Sequence, residues 1–215
     1  MMERMSYADR TVLYLAKPHQ QIDPRDEFAK EFLPCPWSTL TDQLRKTGAV
    51  IGGSVALRFF SYIPFQPSDL DIYGSLSFFP SWERFLKSQG FCILHDETEY
   101  ERYCRGMSKE AGIIEFRHKV TKFKIQYIHN HKADDVDNTA NECTISHEEA
   151  VCPHYNQVRE NTTTFRVNNQ ERIVKMATRG FKVKLVNPIV KWFLDFCNKG
   201  EVRERRIVFL NQEIK

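Results

Sequence analysis

The amino-acid sequence predicts an α/β (α+β) fold, in which a small mixed β-sheet is flanked by helices and followed by a helical C-terminal part. Three observations predict it. Short apolar runs of strand length alternate with stretches whose apolar residues recur at helical spacing. An apolar run at 49–51 enters Gly52-Gly53-Ser54 and a helix before a second strand at 69–73. Segments 112–118 and 123–130 both alternate, with Val120-Thr121-Lys122 between them, which reads as a β-hairpin.

Taken in order, residues 11–16 form a short apolar run that fits an added edge strand or a docked arm, and 26–32 place Phe28, Phe32 and Leu33 at helical spacing. Pro36-Trp37-Ser38 opens a helix with Ser38 as its cap, Leu40 and Leu44 on its apolar face and Gly48 as its stop. After the strand at 49–51, residues 54–62 read as a helix capped by Ser54. Pro64 and Pro67 force a loop, and the strand at 69–73 follows directly.

Pro80-Ser81-Trp82 begins a helix that stops at Gly90, with a strand at 91–94. Residues 134–164 are polar and read as a long functional or partly disordered loop. A short strand at 165–167, a helix at 171–179 stopped by Gly180, an alternating stretch at 181–186 and a helix at 189–197 follow, and the tail at 202–215 fits no single element. The organisation expected is a lead-in at 1–35, a core at 36–133, the polar loop at 134–164 and a mainly helical part at 165–215 packed on the core.

Composition narrows the function classes. At 215 residues, 41% hydrophobic and 27% charged, the chain is long enough and apolar enough to bury a core, and its 16 Phe favour one rich in ring packing. A net charge of +3 with interspersed signs lacks the basic stripe of a dedicated nucleic-acid binder, and the run Arg203, Arg205, Arg206 reads as a solvated face. With no apolar run of spanning length and no apolar core near the N-terminus, the expectation is a soluble intracellular protein, cytoplasmic or nuclear, with no membrane partner. Six cysteines without a C-x-x-C pair read as reduced thiols, and the acceptor sequon at Asn161 has little weight without export.

Two residue sets point to chemistry. Cys143, His147, Cys152 and His154 have the donor atoms of a Cys₂His₂ zinc site, but their spacing matches no common finger, and a polar loop is the plainer reading. Asp69 and Asp71 stand at i and i+2 on a predicted strand, so both carboxylates point to one face. Asp is depleted in strands, and two like charges on one face repel unless something positive compensates them. A divalent cation is one such compensation, and carboxylates are the hard oxygen ligands that Mg²⁺ prefers. Ser54 at a helix start adds free N–H groups and a dipole that attract phosphate, and Gly52 and Gly53 let the backbone come close.

The apolar strand entering Gly52-Gly53-Ser54, the helix, and then Ser68-Asp69-Leu70-Asp71-Ile72-Tyr73 after a gap of 14 residues resemble the nucleotidyltransferase superfamily with the DNA polymerase β-type fold. The resemblance is specific over 49–74. It implies a nucleoside triphosphate bound with Mg²⁺ (or Mn²⁺), Asp69 and Asp71 as catalytic metal ligands, Gly52, Gly53 and Ser54 as nucleotide-binding residues, and transfer of a nucleoside monophosphate to an acceptor that is protein, RNA or a small molecule. Arg58 and Arg179 are further candidates for triphosphate contact. The family places a third carboxylate on a later strand, and the position that aligns here is Gln126, which is neutral; Glu115, on the preceding strand of the hairpin, is the alternative third acid if the register differs by one strand. Gln126 also leaves open an inactive domain of the same fold that serves nucleotide binding or protein interaction.

Overall fold

A computed structural model of the chain describes residues 5–16, 22–94, 112–129, 138–165, 170–185 and 205–209. Its elements begin with helices α1 (Tyr7–Ala16), α2 (Pro24–Lys30) and α3 (Trp37–Thr47), strand β1 (Val50–Gly52), helix α4 (Gly53–Phe60) and strand β2 (Asp69–Tyr73). Helix α5 (Phe79–Ser88) and strands β3 (Phe91–Ile93), β4 (Gly112–His118) and β5 (Lys124–His129) follow. A 3₁₀ turn at Thr139–Glu142 leads to β6 (Thr144–Ile145), β7 (Glu149–Cys152), helix α6 (Tyr155–Arg159), β8 (Thr162–Phe165), helix α7 (Gln170–Thr178), β9 (Lys182–Leu185) and β10 (Arg205–Val208).

The fold is mixed α/β. Eight strands form one sheet in the order β10-β7-β6-β1-β2-β5-β4-β3, and β8 and β9 form a separate parallel pair. Within the large sheet β2 and β5 run parallel, while the other neighbours are antiparallel. Parallel neighbours need a crossover, here supplied by α5 and the β3–β4 excursion. The two central strands are therefore β1 and β2, one leading into the glycine turn and the other carrying the aspartates. No described helix is long and apolar enough to cross a membrane.

The apolar run at 11–16 belongs to a helix, not to an edge strand. Its buried residues are Tyr7, Ala8 and Thr11, at helical spacing, and the polar turn at its start extends a pattern that the β-branched Thr11 and Val12 alone suggest is a strand. Tyr7 packs edge-on against Phe28 at 5.2 Å and donates a hydrogen bond to the Glu31 carboxylate; Tyr62 donates to Asp9 at 2.5 Å. Phe28 in turn meets Phe32 and Phe59 at 5.2 and 5.1 Å, so the predicted ring packing is centred where α1, α2 and α4 join.

Two predicted caps differ. Helix α3 begins at Trp37 with Pro36 as an uncapped lead, and the Trp37 N–H donates instead to Asp26 Oδ1 at 2.7 Å, a cap supplied by the preceding helix rather than by Ser38. Helix α4 begins at Gly53, so Ser54 lies inside its first turn and makes no capping bond. Gly48 stops α3 as expected, in the left-handed region at φ 62°.

From residue 138 onward the predicted polar loop is instead built structure. β6 and β7 extend the large sheet beyond β1, and Cys143, Ile145, Ala150, Cys152, Val158 and Phe165 are buried. The buried side chains of this region are mostly small or polar, and its polar residues bond one another: Thr163 donates to Asn138 Oδ1 at 3.1 Å, Thr139 to Gln157 Oε1 at 2.7 Å and Thr164 to the same oxygen at 3.2 Å. Strand β8 runs over Thr162–Phe165; of the predicted strand at 165–167 only Phe165 is among the described residues, and the predicted helix at 189–197 lies outside them. The Cys/His set does not come together as a zinc site: the Cys143 and Cys152 sulfurs are 3.3 Å apart, while His154 pairs with Glu142 at 2.9 Å and His147 with Glu148 at 3.4 Å.

Candidate functional site

β2 alternates as its sequence demands. Leu70 and Ile72 are 1% and 0% exposed on the core face, which leaves Asp69, Asp71 and Tyr73 on the half-buried face. Antiparallel pairing with β1 sets Gly52 opposite Asp71 and Val50 opposite Tyr73. The two glycines make room for these side chains. A Cβ on Gly52 would meet the Tyr73 ring at 2.6 Å, and one on Gly53 would collide with Asp71 Oδ2. Gly53 also has φ 60°, a conformation that costs L-residues. The Gly-Gly turn thus interlocks sterically with Asp71 and Tyr73, and this explains why small residues stand where β1 passes into α4.

Ser54 follows at once. It is 6% exposed, and its hydroxyl has no hydrogen-bond partner among the described residues. An unpaired buried hydroxyl costs free energy unless a ligand or water meets it, and this one lies in the first turn of a helix, where free N–H groups gather.

The pair is electrostatically strained. The Asp71 carboxyl is pushed up to about 6, first by burial and then by the neighbouring Asp69 charge, against the opposing pull of Lys175, Arg172 and Arg179. The Tyr73 hydroxyl is pushed up to about 12, first by burial and then by the Asp71 charge. The three cations come from α7 and the residue just after it, spaced so that they share one helical face. Lys175 Nζ lies 3.3 Å from Ser68 Oγ, which donates to Asp69 Oδ1 at 3.1 Å. The Arg179 guanidinium stands 4.9 Å from the Phe65 ring centre; burial pulls it below its ordinary value while the Asp69 and Asp71 charges hold it up.

Parallel pairing sets Gln126 of β5 beside Asp71, and antiparallel pairing sets Glu115 of β4 beside Gln126. Glu115 is one strand further from Asp71 than Gln126, and Gln126 Nε2 donates to Glu115 Oε1 at 2.8 Å.

Two solved structures of a CCA-adding enzyme resemble part of the chain. The apo form I has 15% identity and a TM-score of 0.40 over 75% of this chain and 42% of that one. The complex with CTP has 14% identity and a TM-score of 0.42 over 71% of this chain and 39% of that one. The chain spans about two fifths of the length of each. No protein-family model and no curated protein matches it.

Among the described residues no group of three or more His, Cys, Asp or Glu stands close enough to hold a metal ion, so a cation here would have two carboxylates and neutral oxygens as its protein ligands. That donor set suits a hard divalent cation, which completes its shell with water or substrate oxygens. Arg58 is engaged elsewhere, 5.1 Å from the Tyr7 ring centre and 3.9 Å from Glu31. Sequence reasoning singled out Arg179 but missed Arg172 and Lys175. Their spacing on a predicted helix was the available signal, but nothing in the sequence shows that this helix faces β2.

Proposed function

We propose that this chain is a nucleotidyltransferase-like protein that binds a nucleoside triphosphate with a divalent cation, Mg²⁺ or Mn²⁺, and transfers a nucleoside monophosphate to an acceptor. The observation that carries the reading is the interlock of Asp71 with Gly53 beside the buried Ser54 hydroxyl, which has no partner among the described residues, under the charges of Arg172, Lys175 and Arg179. A carboxylate pair suits a cation; a helix start with an unpaired hydroxyl and three cations suits phosphates.

In this reading Asp69 and Asp71 hold the cation. When bound, such a cation supplies Lewis-acid stabilisation of the phosphoryl oxygens. Ser54 and the first-turn N–H groups of α4 hold the phosphates in place, and Arg172 and Lys175 of α7 with Arg179 just after it offset the charge of the triphosphate. Gly53 leaves room for Asp71 to reach the same space.

Nucleotide binding without transfer is the second reading, and the neutral Gln126 in register with Asp71 favours it. The test is incubation of the full chain with labelled nucleoside triphosphates and Mg²⁺ or Mn²⁺, with protein and RNA scored for label. Transfer that Asp69→Ala and Asp71→Ala abolish, in variants with unchanged circular dichroism, supports the first reading. Cation-dependent nucleotide binding with no transfer supports the second. Neither binding nor transfer overturns both.

A further inference from the structure

We propose that Glu115 is a positioning residue that turns the Gln126 amide oxygen toward the Asp69–Asp71 pair, so that the cation site takes two carboxylates and one neutral amide oxygen. The inference rests on the cation-binding reading of the Asp pair and deepens it.

Asp71, Gln126 and Glu115 form an in-register row across β2, β5 and β4, and directly opposed residues on neighbouring strands share a face of the sheet. An ionised carboxylate only accepts hydrogen bonds, so Glu115 takes the NH₂ end of the Gln126 amide, as the 2.8 Å bond shows. The amide oxygen then faces away from Glu115. Turning the amide over would set its oxygen against a carboxylate and lose the bond. Lys124 Nζ lies 3.7 Å from the same Glu115 oxygen and braces the carboxylate from its own strand.

The arrangement also accounts for the missing acid. A carboxylate at 126 would stand directly between Asp71 and Glu115, three like charges in a row, whereas Gln supplies an oxygen to one neighbour and a donor to the other. The protein's charge toward the cation is then that of two carboxylates, which matches one divalent ion. The Ser54 hydroxyl, buried without a described partner next to the glycine that Asp71 rests on, is an independent sign that this space receives a ligand.

The experiment is Mn²⁺ binding to the full chain without nucleotide, read from the electron paramagnetic resonance signal of the free ion. Wild type binds, and Asp71→Asn loses binding. Glu115→Ala weakens binding by about 10-fold, the lower end of what a residue that orients a ligand contributes; Gln126→Leu weakens it at least as much. Glu115→Gln, which keeps an acceptor oxygen for the Gln126 NH₂, restores most of the affinity, whereas Glu115→Met, which keeps a similar volume but offers no such acceptor, does not, a split that a loss of packing would not predict. Gln126→Met serves as the second apolar variant where Gln126→Leu fails to fold. Unchanged affinity in the Gln126 variants overturns the amide ligand, and unchanged affinity in Glu115→Ala overturns the positioning role. Wild type that binds no more Mn²⁺ than Asp71→Asn overturns the inference through its premise, a result distinct from the other two.

Discussion

The carboxylate of Asp71 occupies the space that a side chain on Gly53 would fill. The contact ties the end of β1 to the middle of β2. It lets a negative charge reach the start of α4, and it makes the glycine a requirement of the site and not merely of the turn.

Gly48 provides the control for this relationship. It has φ 62°, almost that of Gly53, but nothing among the described residues lies within 4 Å of a Cβ placed on it. Gly48→Ala therefore pays for the left-handed conformation alone, about 1–2 kcal/mol. Gly53→Ala pays that and the collision with Asp71, so its unfolding free energy in urea falls further. The excess shrinks when Asp71→Ala is combined with it, because the colliding group is gone. Equal losses at Gly48 and Gly53 would remove the steric link.

Asp71 also makes stability depend on pH with a defined sign. Its folded-state value of about 6 lies above the ordinary 3.8, so between these values the folded chain holds more protons than the unfolded one. Stability contributed by this group is therefore present at low pH and is lost as pH rises from about 4 through about 6, then stays flat. Asp71→Asn, which cannot ionise, gains on wild type across that window in urea titrations at successive pH values, and Asp69→Asn narrows the gap by removing the neighbouring charge. A difference between wild type and Asp71→Asn that is constant from pH 4 to 7 would contradict the shift.

How much of this was legible in the sequence depends on how local each determinant is. Gly52-Gly53-Ser54 and the Asp69/Asp71 face follow from strand alternation and a small-residue turn, read between residues 49 and 74, whereas Gln126 was singled out through the family resemblance. The cap of α3 was misread because its oxygen comes from Asp26, eleven residues upstream, although Ser38 has the right chemistry in the right place. Residues 138–165 were misread because Cys143, Ala150 and Cys152 are small, and a Thr-rich strand looks polar even where its hydroxyls are satisfied within the protein. The cations of α7 were out of reach for a different reason: their helical face was readable, but its partner was not.

Those cations give a prediction about nucleotide. Arg172→Ala, Lys175→Ala and Arg179→Ala each weaken binding of a nucleoside triphosphate by about 10-fold, the scale of one hydrogen bond to a charged group. Raising the salt concentration weakens wild-type binding more than it weakens binding by the variants. Arg179→Lys behaves like the alanine variant more than like wild type, because the guanidinium at the Phe65 ring depends on a planar group. Equilibrium dialysis with labelled nucleotide checks this, and variants with wild-type affinity would assign α7 a structural role.

The α3–α5 contact offers a test of the core that is independent of the site. Trp82 is fully buried, and its indole N–H donates to Thr47 Oγ1 at 3.0 Å, while the same hydroxyl donates to the Gln43 carbonyl at 2.8 Å. Thr47→Val keeps the shape but removes the acceptor, and a buried donor without a partner costs about 1–3 kcal/mol. Thr47→Ser keeps the oxygen and loses less. In a Trp82→Phe background there is no donor to strand, so Thr47→Val becomes nearly neutral, and the double-mutant cycle on urea unfolding isolates the bond. The same cost for Thr47→Val in both backgrounds would show that its effect lies in α3 itself and not in the link to α5.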